Sequence, residues 1–130
     1  MFNDTLTQTA KALAAHCNNG TESEGLDTLY HPDCVSAEAL AMPGSPMPRE
    51  AKGLDAIRAK HAWWENANEV HSTSADGPFL HEGNQFSLVF HMDVTGKDSG
   101  ERVQMSEVGL YTVDDAGKIT REEFFYPPMG

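Results

Sequence analysis

The back half of the chain constrains its fold most tightly. Four runs in strand-like order, at about 70–81, 85–95, 102–114 and 118–126, follow one another with only short hairpin signals between them: Gly83-Asn84, Gly96-Lys97-Asp98-Ser99-Gly100 and Asp114-Asp115-Ala116-Gly117. In the second run Phe86, Leu88, Phe90, Met92 and Val94 alternate with Ser87, His91 and Asp93. One face is apolar and the other mixed, as a half-buried antiparallel strand requires. Helical patterns fill the front half. Helices followed by an antiparallel meander predict an α+β domain whose sheet wraps around a helix and leaves a pocket.

The first helix is expected from Thr5 to about Cys17, with Leu6, Ala10, Leu13 and Ala14 as its apolar stripe and Asn18-Asn19-Gly20 as its stop. A second short helix runs from about Ser23 to Tyr30 and ends before Pro32. Cys34–Glu38 reads as a short strand. Residues 42–52 hold Pro43, Gly44, Pro46 and Pro48 and read as a loop, in which Met42 and Met47 suit either a lid or an ordinary surface turn. Neither flank of that loop could make a core alone, so residues 1–130 are expected to form one domain. The clearest helix spans about 53–69, where Leu54, Ile57, His61, Trp64 and Asn68 share one face.

Composition excludes several function classes. Twenty acidic residues against nine basic ones give a net charge of −11, without the basic cluster that nucleic acid or an anionic membrane surface would need. No apolar run is long enough to span a bilayer, and the first residues lack a signal peptide's basic and apolar regions, so a cytoplasmic location is expected. Cys17 and Cys34 are expected as small semi-buried thiols in a reducing compartment. His71, His81 and His91 recur every ten residues, but the chain has no local pattern such as His-x-x-x-His, and no metal is expected. No phosphate loop or Gly-x-Ser-x-Gly turn occurs.

Three segments carry a family resemblance: Gly25-Leu26-Asp27-Thr28-Leu29-Tyr30-His31-Pro32-Asp33-Cys34-Val35, then Lys52-Gly53-Leu54-Asp55-Ala56-Ile57, then Tyr111-Thr112-Val113-Asp114-Asp115-Ala116-Gly117-Lys118-Ile119. In order and spacing the chain resembles the NTF2-like superfamily, in its SnoaL-like and ketosteroid-isomerase-like branch. The resemblance implies an α+β cone, a strongly bent antiparallel sheet around a long helix with an apolar cavity inside, and a homodimer through the sheet. It implies no single activity, because the fold hosts isomerases, cyclases, dehydratases and non-catalytic binders.

By its place in the resemblance, Glu38 matches the carboxylate that serves as general base in ketosteroid isomerases; otherwise it is an exposed strand-end side chain. His61 falls where those enzymes place a pocket Tyr, and is either a polar pocket group or a structural histidine. Their oxyanion-donating carboxyl would fall at Gly109, which has no side chain, so Glu107 is the candidate stand-in if it stays protonated. The Tyr of their first helix is also absent, Ala14 lying close to its place, and both absences argue against a ketosteroid isomerase in the strict sense. Trp64, Phe90, Tyr111 and Tyr126, with Met42 above them, are candidates to line the pocket or simply to fill the core. Two functions remain open: cofactor-free acid–base catalysis beside a carbonyl, by an isomerase, cyclase or dehydratase, or non-catalytic binding of a small, mostly apolar organic molecule.

Overall fold

The computed structural model describes residues 4–39 and 48–126. The chain runs α1 (Asp4–Asn19), α2 (Glu22–Leu29), β1 (Tyr30–Glu38), β2 (Glu50–Lys52), α3 (Leu54–Ala67), β3 (Asn68–His81), β4 (Gln85–Gly96), β5 (Arg102–Val113) and β6 (Ile119–Phe125). The six strands form a curled sheet in the order β2-β1-β6-β5-β4-β3. The expected antiparallel meander is β3 to β6. The sheet is completed by a parallel pairing of β1 with β6, which joins the front of the chain to its back.

The α1 stripe is buried as its periodicity predicts: Leu6, Ala10, Leu13 and Ala14 all lie in the core. Two side chains fasten this helix to the sheet side of the fold. Thr9 Oγ1 donates to the Gly117 carbonyl at 2.7 Å. The Asn18 amide donates to the Ala75 carbonyl at 3.1 Å and accepts from the Ala75 N–H at 3.0 Å, so it pairs with β3 as a strand edge would.

Two boundaries differ from the sequence-based expectation. Tyr30, expected at the end of the second helix, is the first residue of β1. Pro32 falls where the β1–β6 ladder shifts register, between Tyr30 and Val35, so its missing N–H removes no regular ladder bond. Inside the expected loop, Glu50–Lys52 pairs with residues 35–37 as the edge strand β2. Three residues carry too little alternation to be recognised as a strand. Met42 lies outside the described residues.

Helix α3 packs on β1 and β2 at one edge of the sheet and on β3 at the other. Ile57 anchors it with no exposed surface, and Trp64 is half-buried. Two register shifts in β3, between Val70 and Ser72 and between Asp76 and Phe79, are the bulges by which a strand bends. At the second, Gly77 has φ 118°, and a Cβ there would lie 3.1 Å from the Ser87 carbonyl oxygen, so the position requires glycine. The centre of the core is the Phe86–Tyr111 stack, with ring centroids 4.9 Å apart and planes inclined by 13°. Cys34 is buried and Cys17 half-buried, both free; burial pushes each thiol up to about 12, which leaves them unreactive at neutral pH. The three regularly spaced histidines stand apart: His71 pairs with Thr95, His81 with Ser87, and His91 with Ser106 and Asp76.

Because Ile57 is the fully buried anchor of α3, Ile57→Ala should cost about 2–5 kcal/mol of stability. Denaturant unfolding should show a lower midpoint with an unchanged slope.

Candidate active site

The inward face of β1, β6 and β5 is polar at its centre. Register aligns Ser36 with Glu122 and Tyr111, and Glu38 with Phe124 and Gly109 in the next inward row. Glu107 occupies the row beyond, opposite Phe90. A single hydrogen-bonded chain runs through these rows. The Tyr30 hydroxyl donates to Glu122 Oε1, and Ser36 Oγ donates to Glu122 Oε2 at 2.6 Å. Lys60 Nζ, reaching in from α3, donates to Ser36 Oγ at 2.9 Å and pairs with Glu38 Oε1 at 2.8 Å. The Lys60 ammonium also lies 5.1 Å from the centre of the Phe124 ring, within cation–π range.

Glu122 is 1% exposed, so the Tyr30 and Ser36 hydroxyls take the place of water on its carboxyl oxygens. Glu38 and Lys60 are themselves largely enclosed, with side chains 22% and 14% exposed. Glu107 faces the same group from β5. Burial pushes its carboxyl up to about 7, with the nearby Glu38 and Glu122 charges adding to the shift and Lys60 opposing it. No hydrogen bond contributes to that shift. The pair therefore contains one carboxylate already matched to an ammonium and one carboxyl poised to hold or release a proton near neutrality.

The aromatic wall is set by Gly109. A Cβ there would lie 2.9 Å from the Phe90 ring and 3.0 Å from both the Tyr111 ring and its hydroxyl. Position 109 is thus closed to a side chain by two rings, and Glu107 is the carboxyl on this face of β5. Phe124 closes the wall, with its ring centre 6.4 Å from that of Phe90 and edge-on to Tyr111 at 6.3 Å.

The structure brings Glu38, Glu107, Phe90 and Tyr111 together, four of the candidates named from sequence. His61 is half-buried on α3 beside Lys60 and stands outside the hydrogen-bonded chain. Trp64 is half-buried one turn beyond. Tyr126 stands outside the hydrogen-bonded chain: with Val89, Ser106, Val108 and Phe125, and with Glu107 shared, it lines a cavity of about 300 Å³. Val89, Val108 and Phe125 alternate with the inward Leu88, Gly109 and Phe124, so this cavity opens on the outer face of the sheet.

Lys60, Glu122, Ser36 and Tyr30 were not singled out by sequence reasoning. Lys60 sits three residues after Ile57 and four before Trp64, which is as good a helical stripe as the one through His61. Glu122 was hidden by a bulge. Ile119 and Glu122 are both buried although three residues apart, because the β5–β6 register shifts between Val113 and Thr112.

The shift at Glu107 makes a thermodynamic prediction. In the unfolded chain its proton leaves near the ordinary 4.5, whereas in the folded protein it stays until about 7. Between those values the folded state binds more protons than the unfolded one, so stability falls as pH rises. Glu107→Gln removes this loss. The variant should gain on the wild type across pH 4.5 to 7 and hold a constant advantage above, reaching on the order of 3 kcal/mol. Paired urea titrations over that pH range measure it.

A family model described as a SnoaL-like domain matches residues 7–126. A protein from Mesorhizobium loti, provisionally named a SnoaL-like polyketide cyclase, has a similar structure with a TM-score of 0.83 and 39% identity, over 93% of this chain and 98% of that one. The Δ5-3-ketosteroid isomerase of a Mycobacterium species shares the fold at TM-score 0.68 and 18% identity, over 95% and 93% of the two chains. A Mycobacterium tuberculosis protein in complex with estradiol-17β-hemisuccinate does so at 0.70 and 19%, over 94% of each. None of the curated proteins matches the chain. With a family model over nearly its whole length and a relative 39% identical, the chain belongs to the SnoaL-like domain family of the NTF2-like superfamily.

Proposed function

We propose that this protein is a cofactor-free acid–base catalyst acting on a small organic molecule beside a carbonyl group. The observation that carries the reading is the convergence of Glu38 and Glu107 on one inward face, with Lys60 on the first and a proton affinity near neutrality on the second. Glu38 takes a proton from the carbon next to the carbonyl. Protonated Glu107 donates to the carbonyl oxygen as negative charge develops on it. Return of the proton to another carbon gives an isomerase; departure of a leaving group gives a dehydratase; attack by the enolate carbon on a second carbonyl of the same molecule gives a cyclase. Phe90, Phe124 and Tyr111 supply the apolar wall such a substrate would meet.

Screening cyclic ketones and polyketide-like compounds for turnover is the direct test. For a compound that reacts, Glu38→Gln should lower turnover by about 10²–10⁴-fold while affinity changes far less. Rate should also fall as pH rises through about 7, because Glu107 then loses the proton it donates. Unchanged turnover in Glu38→Gln would remove the base from this scheme.

A second reading, non-catalytic binding in the same place, is favoured by one observation: Glu38 is already matched by Lys60 and needs no ligand to satisfy it. Compounds that bind without turning over would select it.

We also propose that the chain forms a homodimer through the outer face of its sheet. Val108 and Phe125 are 37% and 42% exposed there and line the outer cavity with Val89 and Tyr126. Sedimentation at tens of micromolar, well above a dissociation constant of about 1 μM, should give a dimer. Phe125→Asp should shift it toward monomer without unfolding it.

A further inference from the structure

The site holds three carboxyls, Glu38, Glu107 and Glu122, but one ammonium, and that ammonium is paired with Glu38. Lys60 Nζ lies 2.8 Å from Glu38 Oε1 and 2.9 Å from Ser36 Oγ, and its remaining side faces the Phe124 ring at 5.1 Å. The protein thus uses the ammonium on every side, which leaves it poorly placed to grip a ligand. Its position is fixed from behind: Ser36 is fully buried and is tied to Glu122, and Glu122 in turn to Tyr30. We propose that Lys60 is a positioning residue that assigns opposite proton roles to the two carboxyls, keeping Glu38 as the proton acceptor and leaving Glu107 as the donor.

The assignment rests on the acid–base reading of the site, and it adds what decides which carboxyl does what. Without a fixed cation, two interacting carboxyls would compete for one proton and titrate as a pair. The groups facing Glu107 are Glu38 from β1, Lys60 from α3, Glu122 from β6 and Tyr111 from its own strand. Lys60 is the cation among them, so its loss leaves like charges and burial acting in one direction.

Carbon-13 NMR of the side-chain carboxyls tests this without any substrate. Signals are assigned with Glu38→Gln and Glu107→Gln, and titrations are run on wild type, Lys60→Met, Lys60→Gln and Lys60→Arg. Loss of the charge should raise the Glu107 midpoint by about one pH unit or more. Glu38→Gln should then move that midpoint further in the Lys60→Met background than in wild type. Lys60→Arg should restore a midpoint close to the wild-type one. Lys60→Gln, which keeps donors for Ser36 and Glu38, serves if the methionine variant does not fold. A Glu107 midpoint that stays at its wild-type value when the charge is removed would overturn the assignment. That result leaves the Glu38→Gln turnover test untouched, so the two readings fail separately. Where a reacting compound is found, the alkaline limb of the rate profile should move upward in Lys60→Met together with the midpoint.

Discussion

The inward face of β1, β6 and β5 is organised around one buried carboxyl group, that of Glu122. Glu122 has almost no contact with water, and a charge in such a place persists only where donors converge on it. Tyr30 and Ser36 come from β1, and Lys60 reaches Ser36 from α3. One side chain therefore locks three elements: the last strand, the first strand and the long helix. Removing one donor would leave a buried carboxyl oxygen unsatisfied, which typically costs about 1–3 kcal/mol. The same arrangement delivers Lys60 to Glu38, so the structural lock and the candidate chemistry share their parts.

Gly109 contributes by having no side chain. Its vacancy admits the rings of Phe90 and Tyr111, which make the aromatic wall. The carboxyl on this face of β5 is Glu107, one inward row away, which interacts with Glu38, Lys60 and Glu122. A structural relative with an acid at this position would need a different wall.

Much of this was legible in the sequence, and the reasons for the misses are physical. The α1 stripe and the alternation of β4 follow from regular periods, and both were read correctly because nothing interrupts them. Glu38 and Glu107 are named as candidates by their place in the family resemblance and by strand alternation. Glu122 escaped because a bulge in β6 breaks the period of two between it and Ile119. Lys60 escaped because a lysine on a helix flank is ordinarily solvated, and only its partners on β1 reveal that this one points inward. Tyr30 was taken for a helix end because the passage from α2 to β1 has no loop between them.

The pairing of β1 with β6 also sets when the fold can form. The bonds from Glu122 to Tyr30 and Ser36 join residues separated by 92 and 86 positions in the chain. Contacts of that range are entropically late, and folds dominated by them assemble slowly. During synthesis β1 emerges early with its inner edge unpaired and with Ser36 and Tyr30 lacking the carboxylate that satisfies them. The sheet becomes continuous only once residues 119–125 have left the ribosome. Until then the nascent chain presents an open strand edge, the kind of surface on which chaperones act and on which incomplete chains aggregate.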